Sequence, residues 1–569
     1  MPDKVTVGYS ARSNLPTGIA SLYFAPSPVD IPDGGRLACE LMSATEERRI
    51  IDLIDALMMD LHEYIPPQVF TWEGSDLSPV MVLDLKSMIT EWALFAQVIP
   101  RFLDENQPST VIVEEAADRP WLEDLVRHLA PTSVRINVRP ASIRARFGRA
   151  IAPRITRTKG LPVSGRELPD KVDYLVLLQN AYTDLSNLAP VIDALNGKDA
   201  IVLATDPEAL TTCQARGYRY CAPGDFGQPD KVTERLFCRM LEDDISKVPL
   251  PNDWKIDTEI KLPLRDLFLK HFPYLPSAYL FQLHRFYKYT ERALQRLQPK
   301  LVLLAQDAMR AGSAMCAAAE RLHIPTLCLQ HGVTGASDHG YLPVHATKLA
   351  TWGKYSTDFL IAHGGDATRI SPCGCTYIQP LVEEYLSGKP PSVPEKIITL
   401  FTNPSGMAHH REMIAAFAAA QPAFPDYTFR IKTHPAERDY TYRKFIRGTD
   451  LEQWESNDAP AIIRKSALAV IFSSGVGLDA MLLGRPVLTM NFTGGRDNLG
   501  AGAFGAAAYV TDPAKLEDGI RGMLSNDRTE SMNVHREKFL KLYFRSVIDD
   551  PVSKILELGE ELVKDFARD

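Results

Sequence analysis

The chain predicts an α/β protein made of two doubly wound, Rossmann-type parallel-sheet domains with an additional N-terminal α/β module. Three observations lead there. Short apolar runs bounded by turn formers recur at 173–180, 200–206, 299–307 and 397–403, and stretches of helical pattern lie between them. Buried parallel strands joined by crossover helices produce that rhythm. A break, SGKPPSVPEK at 387–396, divides two such series, because its prolines fix φ and remove backbone donors. Finally, 569 residues exceed what one core ordinarily holds, at roughly 100–200 residues per domain.

In chain order, residues 1–160 form the accessory or acceptor-recognition module. Apolar residues at three- and four-residue intervals make 47–65 an amphipathic helix. STVIVEE at 109–115 reads as a strand, Trp121–Leu129 as a helix and SVRINV as a second strand. Residues 135–159 then carry Arg135, Arg139, Arg144, Arg146, Arg149, Arg154, Arg157 and Lys159 without one acidic residue. Such a run is either a solvated linker or a patch facing an anionic acceptor or phospholipid surface.

The second unit spans 165–385. DYLVLLQN, AIVLATD, PKLVLLAQD, IPTLCLQHG and HATKLATWG supply its strands, and 264–297 is helical in pattern. The third unit spans 395–545, with strands in IITLFTN, YTFRIKTHP, ALAVIFSS and PVLTMNF. A last helix occupies 546–569 and has the apolar spacing to pack back across the first α/β block.

Composition removes several function classes. The 63 basic and 71 acidic residues give a net charge of −8, which disfavours a general nucleic-acid coat. Eight cysteines are too few for a disulfide scaffold, and the C-G-C spacing of Cys373 and Cys375 is too tight for a zinc knuckle. No apolar run reaches the roughly 18–20 residues of a membrane span, and the opening MPDKVTVGYSARSNLP lacks the pattern of a signal peptide. A cytoplasmic protein is expected, with peripheral contact at the inner membrane or with a polysaccharide-assembly partner left open.

Ligands of open parallel sheets collect beyond the strand carboxyl ends, so the polar residues there are the candidate site. Ser473-Ser474-Gly475 precedes a helix whose free amides and dipole favour a phosphate, with either serine available as the cap. Asp479, about one turn on, is placed to accept ribose hydroxyls. His434 ends the strand FRIKTH and can act as proton donor or phosphate partner near neutrality. Lys432 lies two residues earlier on the same strand, while Asn403, Ser405 and Gly406 form a loop suited to phosphate or sugar. Asp307 follows LVLLAQ as a base for an incoming hydroxyl, with His331 an alternative base and Gln330 an acceptor contact. Capping, turn and loop chemistry account for the same residue types almost as well.

Thr433-His434-Pro435 and Ser473-Ser474 together resemble motifs of bacterial surface-polysaccharide glycosyltransferases of the GT-B type. The group in question serves capsule and lipopolysaccharide biosynthesis and is related to Kdo transferases and bacterial sialyltransferases. IPTLCLQHG and GLDAMLLGRPV are similar to further segments of such proteins, and the resemblance covers mainly 170–545. It implies transfer of a CMP-activated acidic sugar, such as Kdo or sialic acid, to a glycan or glycolipid acceptor. By that resemblance His434 assists CMP departure, Ser473, Ser474 and Gly475 hold the donor, and Asp307 activates the acceptor. No metal or redox cofactor is implied. A CDP-glycerol glycerophosphotransferase, a UDP-sugar glycosyltransferase, a nucleotide-sugar epimerase and a non-catalytic glycan-assembly protein remain as alternatives.

Overall fold

The computed structural model describes residues 3–8, 20–24, 35–59, 78–114, 121–139, 161–271, 276–334, 340–544 and 550–567, apart from isolated positions within those ranges, together with 65, 69, 71, 72, 75, 76 and 119. The architecture is a GT-B-like pair of Rossmann-type domains preceded by a third α/β unit. The main sheet of each unit is parallel.

The N-terminal sheet contains β1 (Lys4–Gly8), β2 (Ala20–Tyr23) and β3 (Gly35–Leu37). A small hairpin of β4 (Thr71–Trp72) and β5 (Ser75–Asp76) follows, and β6 (Thr110–Glu114) and β7 (Arg135–Arg139) complete the sheet in the order β3-β2-β1-β6-β7. The accessory module is therefore doubly wound in its own right. β7 alternates exposed and half-buried residues, which explains why RINVR alternates charge with apolar side chains at a sheet edge. Helix α1 (Ala44–Met59) begins three residues before the sequence pattern suggests. Ser43 and Glu46 set that start by bonding reciprocally, Ser43 N to Glu46 Oε2 at 2.8 Å and Glu46 N to Ser43 Oγ at 3.2 Å. Helix α2 (Ser78–Asn106) packs along α1.

The middle sheet contains β8 (Tyr174–Leu178), β9 (Ala200–Ala204), β10 (Tyr220–Cys221), β11 (Leu301–Leu304), β12 (Thr326–Leu329), β13 (Lys348–Thr351) and β14 (Ile370–Pro372), in the order β10-β9-β8-β11-β12-β13-β14. β11 and β12 are buried at every residue, as continuous apolar runs require. The 264–297 pattern forms two helices, Leu264–His271 and a longer one; the longer packs against α3 (Lys231–Ser246) and is α4 (Pro276–Leu297).

The C-terminal sheet holds β15 (Ile397–Phe401), β16 (Thr428–Lys432), β17 (Glu452–Gln453), β18 (Leu468–Ile471), β19 (Val487–Met490) and β20 (Ala508–Val510), ordered β17-β16-β15-β18-β19-β20. Helix α5 (Met407–Ala420) follows β15, and α6 (Val476–Leu482) follows β18. The final helix, α7 (Pro551–Phe566), starts on an Asp550 cap with Pro551 in its first turn. It packs on the middle domain: Ile555, Leu558 and Leu562 join the core around Leu301 and Leu327. Gly559 permits the closest approach, since a Cβ there would lie 2.6 Å from Leu301 Cδ2.

The N-terminal module touches both later domains. Asp124 receives Lys270 and His271 of the middle domain, at 2.8 and 2.6 Å. Arg411 of α5 donates to Cys39 O at 2.8 Å, and Lys444 donates to Gly35 O at 3.0 Å. Of the cationic run at 135–159, only Arg135 and Arg139 lie among the described residues. No described helix is long and apolar enough to cross a membrane.

Candidate functional site

The carboxyl ends of the middle and C-terminal sheets face each other. Trp352 and Val333, just past β13 and β12, pack into the same cluster as Leu478 and Leu499 of the C-terminal domain. Tyr377, in the stretch that follows β14, places its hydroxyl 3.3 Å from where a Cβ on Gly475 would stand. Ligands bind such sheets where the strand order reverses. The C-terminal sheet reverses between β15 and β18, and Asn403 Nδ2 bridges that point by donating to Ser473 O at 2.9 Å.

On the middle side, Asp307 is buried, and its Oδ2 accepts from His345 N at 2.9 Å and Ala346 N at 3.0 Å. Those bonds make it an anchor for the segment ahead of β13. Gln330 is also structural: its side chain donates to Gly332 O (2.8 Å) and Ser356 Oγ (3.0 Å) and accepts from Trp352 N (2.8 Å). His331 is different. Its Nδ1 is buried without a hydrogen-bond partner, and its ring leans on Tyr341 with centroids 5.0 Å apart. Burial lowers its pKa to about 4, against the opposing pull of the Asp307 charge. It is therefore a neutral imidazole at physiological pH.

On the C-terminal side, α6 has Gly475 as its N-cap, and neither serine takes that place. Ser474 Oγ accepts from Val476 N at 3.3 Å instead. Lys432 is buried, with Nζ donating to Asn457 Oδ1 at 3.1 Å and to Thr433 O. It serves the end of its own strand. His434 is held through its backbone, which donates to Thr402 Oγ1 (3.1 Å) and Glu437 Oε2 (3.0 Å). Burial lowers its pKa, Glu437 opposes that shift, and Lys432 adds to it.

Ser405 lies outside the described residues, and Gly406 meets a neighbour the sequence did not announce. A Cβ on Gly406 would stand 2.1 Å from Glu47 Oε2 of α1. That carboxylate accepts from Ala408 N at 2.9 Å and His409 N at 3.2 Å, occupying the first turn of α5. The Asn403–Gly406 loop is braced from behind by His410, whose Nδ1 meets Gly406 O at 3.0 Å and whose Nε2 accepts from Asn403 N at 3.4 Å.

Asp479 stands apart. It is only 8% exposed, and its Oδ1 has no hydrogen-bond partner. Burial alone pushes its pKa up to about 7. Burial raises the pKa of both Tyr377 and Cys375, and the Asp479 charge adds to each shift, which locates the carboxylate beside the stretch that follows β14. The structure thus brings Asp479, Gly475, Tyr377 and His331 to the facing strand ends, while Asp307, Gln330 and Lys432 serve the scaffold. Glu47, Glu437 and Tyr377 went unnoticed in the sequence. The H-P-A-E spacing that sets Glu437 one turn after His434 was the available signal for one of them. Cys373 and Cys375 are both buried.

No family model matches the chain, and no curated protein does. Solved structures do. A Listeria monocytogenes protein assigned as a UDP-N-acetylglucosamine 2-epimerase is 15% identical, covering 69% of this chain and 97% of its own, with a TM-score of 0.45. The UDP-GlcNAc 2-epimerase of Neisseria meningitidis, bound to UDP-GlcNAc, is 14% identical over 69% and 99%, with a TM-score of 0.42. A glycosyltransferase from Rickettsia africae is 12% identical over 70% and 100%, with a TM-score of 0.43. The likeness is one of fold.

These matches correct the expected resemblance to Kdo transferases and sialyltransferases. The neighbours are mainly UDP-GlcNAc 2-epimerases, and the nucleotides named with them are UDP and UDP-GlcNAc. The CMP-linked donor and the transfer of an acidic sugar to a glycan are overturned with it. The physical reason lies in the motifs. His-Pro and Ser-Ser pairs at strand ends satisfy turn and loop geometry in any doubly wound sheet, so they mark the fold and not the nucleotide.

Proposed function

We propose that the protein is a nucleotide-sugar epimerase. In this reading the nucleoside lies against Asp479 on the C-terminal sheet, and the sugar points toward His331 on the middle sheet. One observation carries it: the buried, unpaired carboxyl oxygen of Asp479. Leaving such a group without a donor costs roughly 1–3 kcal/mol, so the site is completed by a ligand that supplies hydroxyls. Ribose hydroxyls at a sheet's switch point are the donors that fit. Epimerisation takes the proton from the carbon next to the anomeric centre as the anomeric C–O bond to the nucleotide breaks, the C–H electron pair forming a C=C bond, and the nucleotide then adds back as a proton is returned to the opposite face. A base that is neutral at pH 7 suits the first step, and burial holds His331 in that state.

UDP-linked sugars are the first substrates to test. Calorimetry with UDP-GlcNAc should show binding that Asp479→Asn weakens about 10–100-fold, the range of a charge-assisted hydrogen bond. In deuterated water, the sugar carbon should exchange its proton for deuterium, and His331→Asn should slow exchange about 10²–10⁴-fold. Tight binding without any exchange in the wild type would refute the epimerase reading.

A further inference from the structure

We infer that Arg485 and Arg536 form a binding site for a phosphate-type oxyanion, at the end of the C-terminal sheet remote from the cleft. Arg485 follows α6 and precedes β19, so it stands at the amino end of a parallel strand. Ala506 lies in the corresponding place ahead of β20. The helices Leu516–Leu524 and Asn526–Tyr543 close the space beside them with Met523, Met532 and Asn533. Arg536, one turn after Asn533, completes the pocket.

Neither guanidinium has a counter-charge. Arg485 is 4% exposed, and its Nη2 donates to Ser392 O at 2.6 Å, Ser392 Oγ at 2.7 Å and Arg464 O at 2.6 Å. All three acceptors are neutral, and Arg485 Nε stays buried without a partner. Arg536 is half-buried, and its Nε is likewise unpartnered. Among the described residues neither arginine forms an ion pair. Glu537 and Glu517 on the flanking helices are paired with Lys541 and Arg521, and Glu384 with Arg464. Asp518 is exposed, and no described residue lining the pocket is acidic.

A cation taken out of water is ordinarily paired. Burial lowers the pKa of both arginines; the Arg464 charge adds to that shift at Arg485, while Tyr385 opposes it at Arg536. A water could satisfy either N–H, yet it would leave both positive charges uncompensated. A doubly charged oxyanion answers both, and its oxygens suit the fork of N–H groups that guanidinium presents. The pocket, about 20 Å³ and open to solvent, takes one or two oxygens of such a group and excludes a nucleoside.

The test is titration calorimetry of the full chain with inorganic phosphate, the ionic strength held constant with chloride. The expected result is saturable binding that Arg536→Gln weakens about tenfold or more. Asn533→Asp sets a carboxylate one turn before Arg536 and should weaken binding as much, because the counter-charge is then built in. Asn533 is exposed, so this variant should fold as the wild type does, with circular dichroism and thermal melts of both variants as the control. Arg485 is left intact because it also holds Ser392 and Arg464. Glycerol phosphate is the second arm: binding equal to that of phosphate assigns a monoester group, and binding of the free ion alone assigns inorganic phosphate. Absence of saturable binding would overturn the inference. So would phosphate bound with equal strength by the wild type and both variants, which would put the ion elsewhere on the chain.

Discussion

Replacing Glu47 with glutamine isolates the contact between the N-terminal module and α5. Glu47 is 5% exposed, and it accepts two backbone N–H bonds from the first turn of α5. Burial raises its pKa from 4.5 to about 7, although the bonds from His409, Ala408 and Met407 and the charge of Arg411 pull the other way. Between those two values the unfolded chain has released the proton while the folded chain keeps it. Stability therefore falls as pH rises through that window and levels off above about 7. At about 1.4 kcal/mol per pH unit, the loss is about 3 kcal/mol.

Glu47→Gln keeps the accepting oxygen and removes the titration. The variant should match the wild type near pH 5 and exceed it near pH 8 by up to about 3 kcal/mol. If the chain melts as one unit, its unfolding entropy is about 1.2 kcal/mol/K, so the midpoint difference is about 2–3 °C. Thermal melts of both proteins at the two pH values supply the comparison, and groups common to both cancel. Parallel pH profiles would refute the reasoning, because they would mean that the α5 amides keep the carboxylate charged throughout.

Three further outcomes follow from the geometry. UDP-GlcNAc affinity should rise between pH 6 and 8 by up to about tenfold per pH unit below the Asp479 value, since ribose hydroxyls favour the ionised form. Asp479→Asn should abolish that dependence in calorimetry, and a flat wild-type profile would count against the contact. Gln330→Ala removes a side chain that joins Gly332, Ser356 and Trp352 and should cost about 2–4 kcal/mol in urea unfolding by leaving Trp352 N and Ser356 Oγ unpaired. Gly406→Ala should destabilise by about 1–3 kcal/mol through collision with Glu47, and the same change should be milder in a Glu47→Ala background.

The inner strands of both cleft domains were legible because parallel strands buried on two faces leave unbroken apolar runs, as in LVLL at β11 and LAVI at β18, whereas the short edge strands β10, β14, β17 and β20 were missed. The N-terminal sheet was only half visible. Its β2 and β3 are four and three residues long, too short to display a period. The site was less legible than the fold. Asp307, Gln330 and His331 all follow middle-sheet strands, yet two are satisfied by backbone or side-chain partners, while the third keeps one ring nitrogen, Nδ1, without a partner. That difference depends on what the 345–356 segment supplies, which no local pattern encodes. Asp479 was readable from its place one turn after Ser473-Ser474-Gly475. Glu47 was not: an acid in the first turn of a helix reads as ordinary dipole compensation, and its partner lies 361 residues away.

The return of α7 to the middle domain sets an order of events during synthesis. The sheet segments holding Leu301 and Leu327 leave the ribosome long before Ile555, Leu558 and Leu562 exist to cover them. Until α7 has emerged, that face is an unroofed apolar surface, and the middle domain is completed only after the C-terminal sheet has been made. Domains otherwise tend to fold as they emerge, amino-terminal first. Here the nascent chain carries an uncovered apolar face through more than two hundred residues of elongation, and a stop codon ahead of Pro551 would leave it uncovered for good.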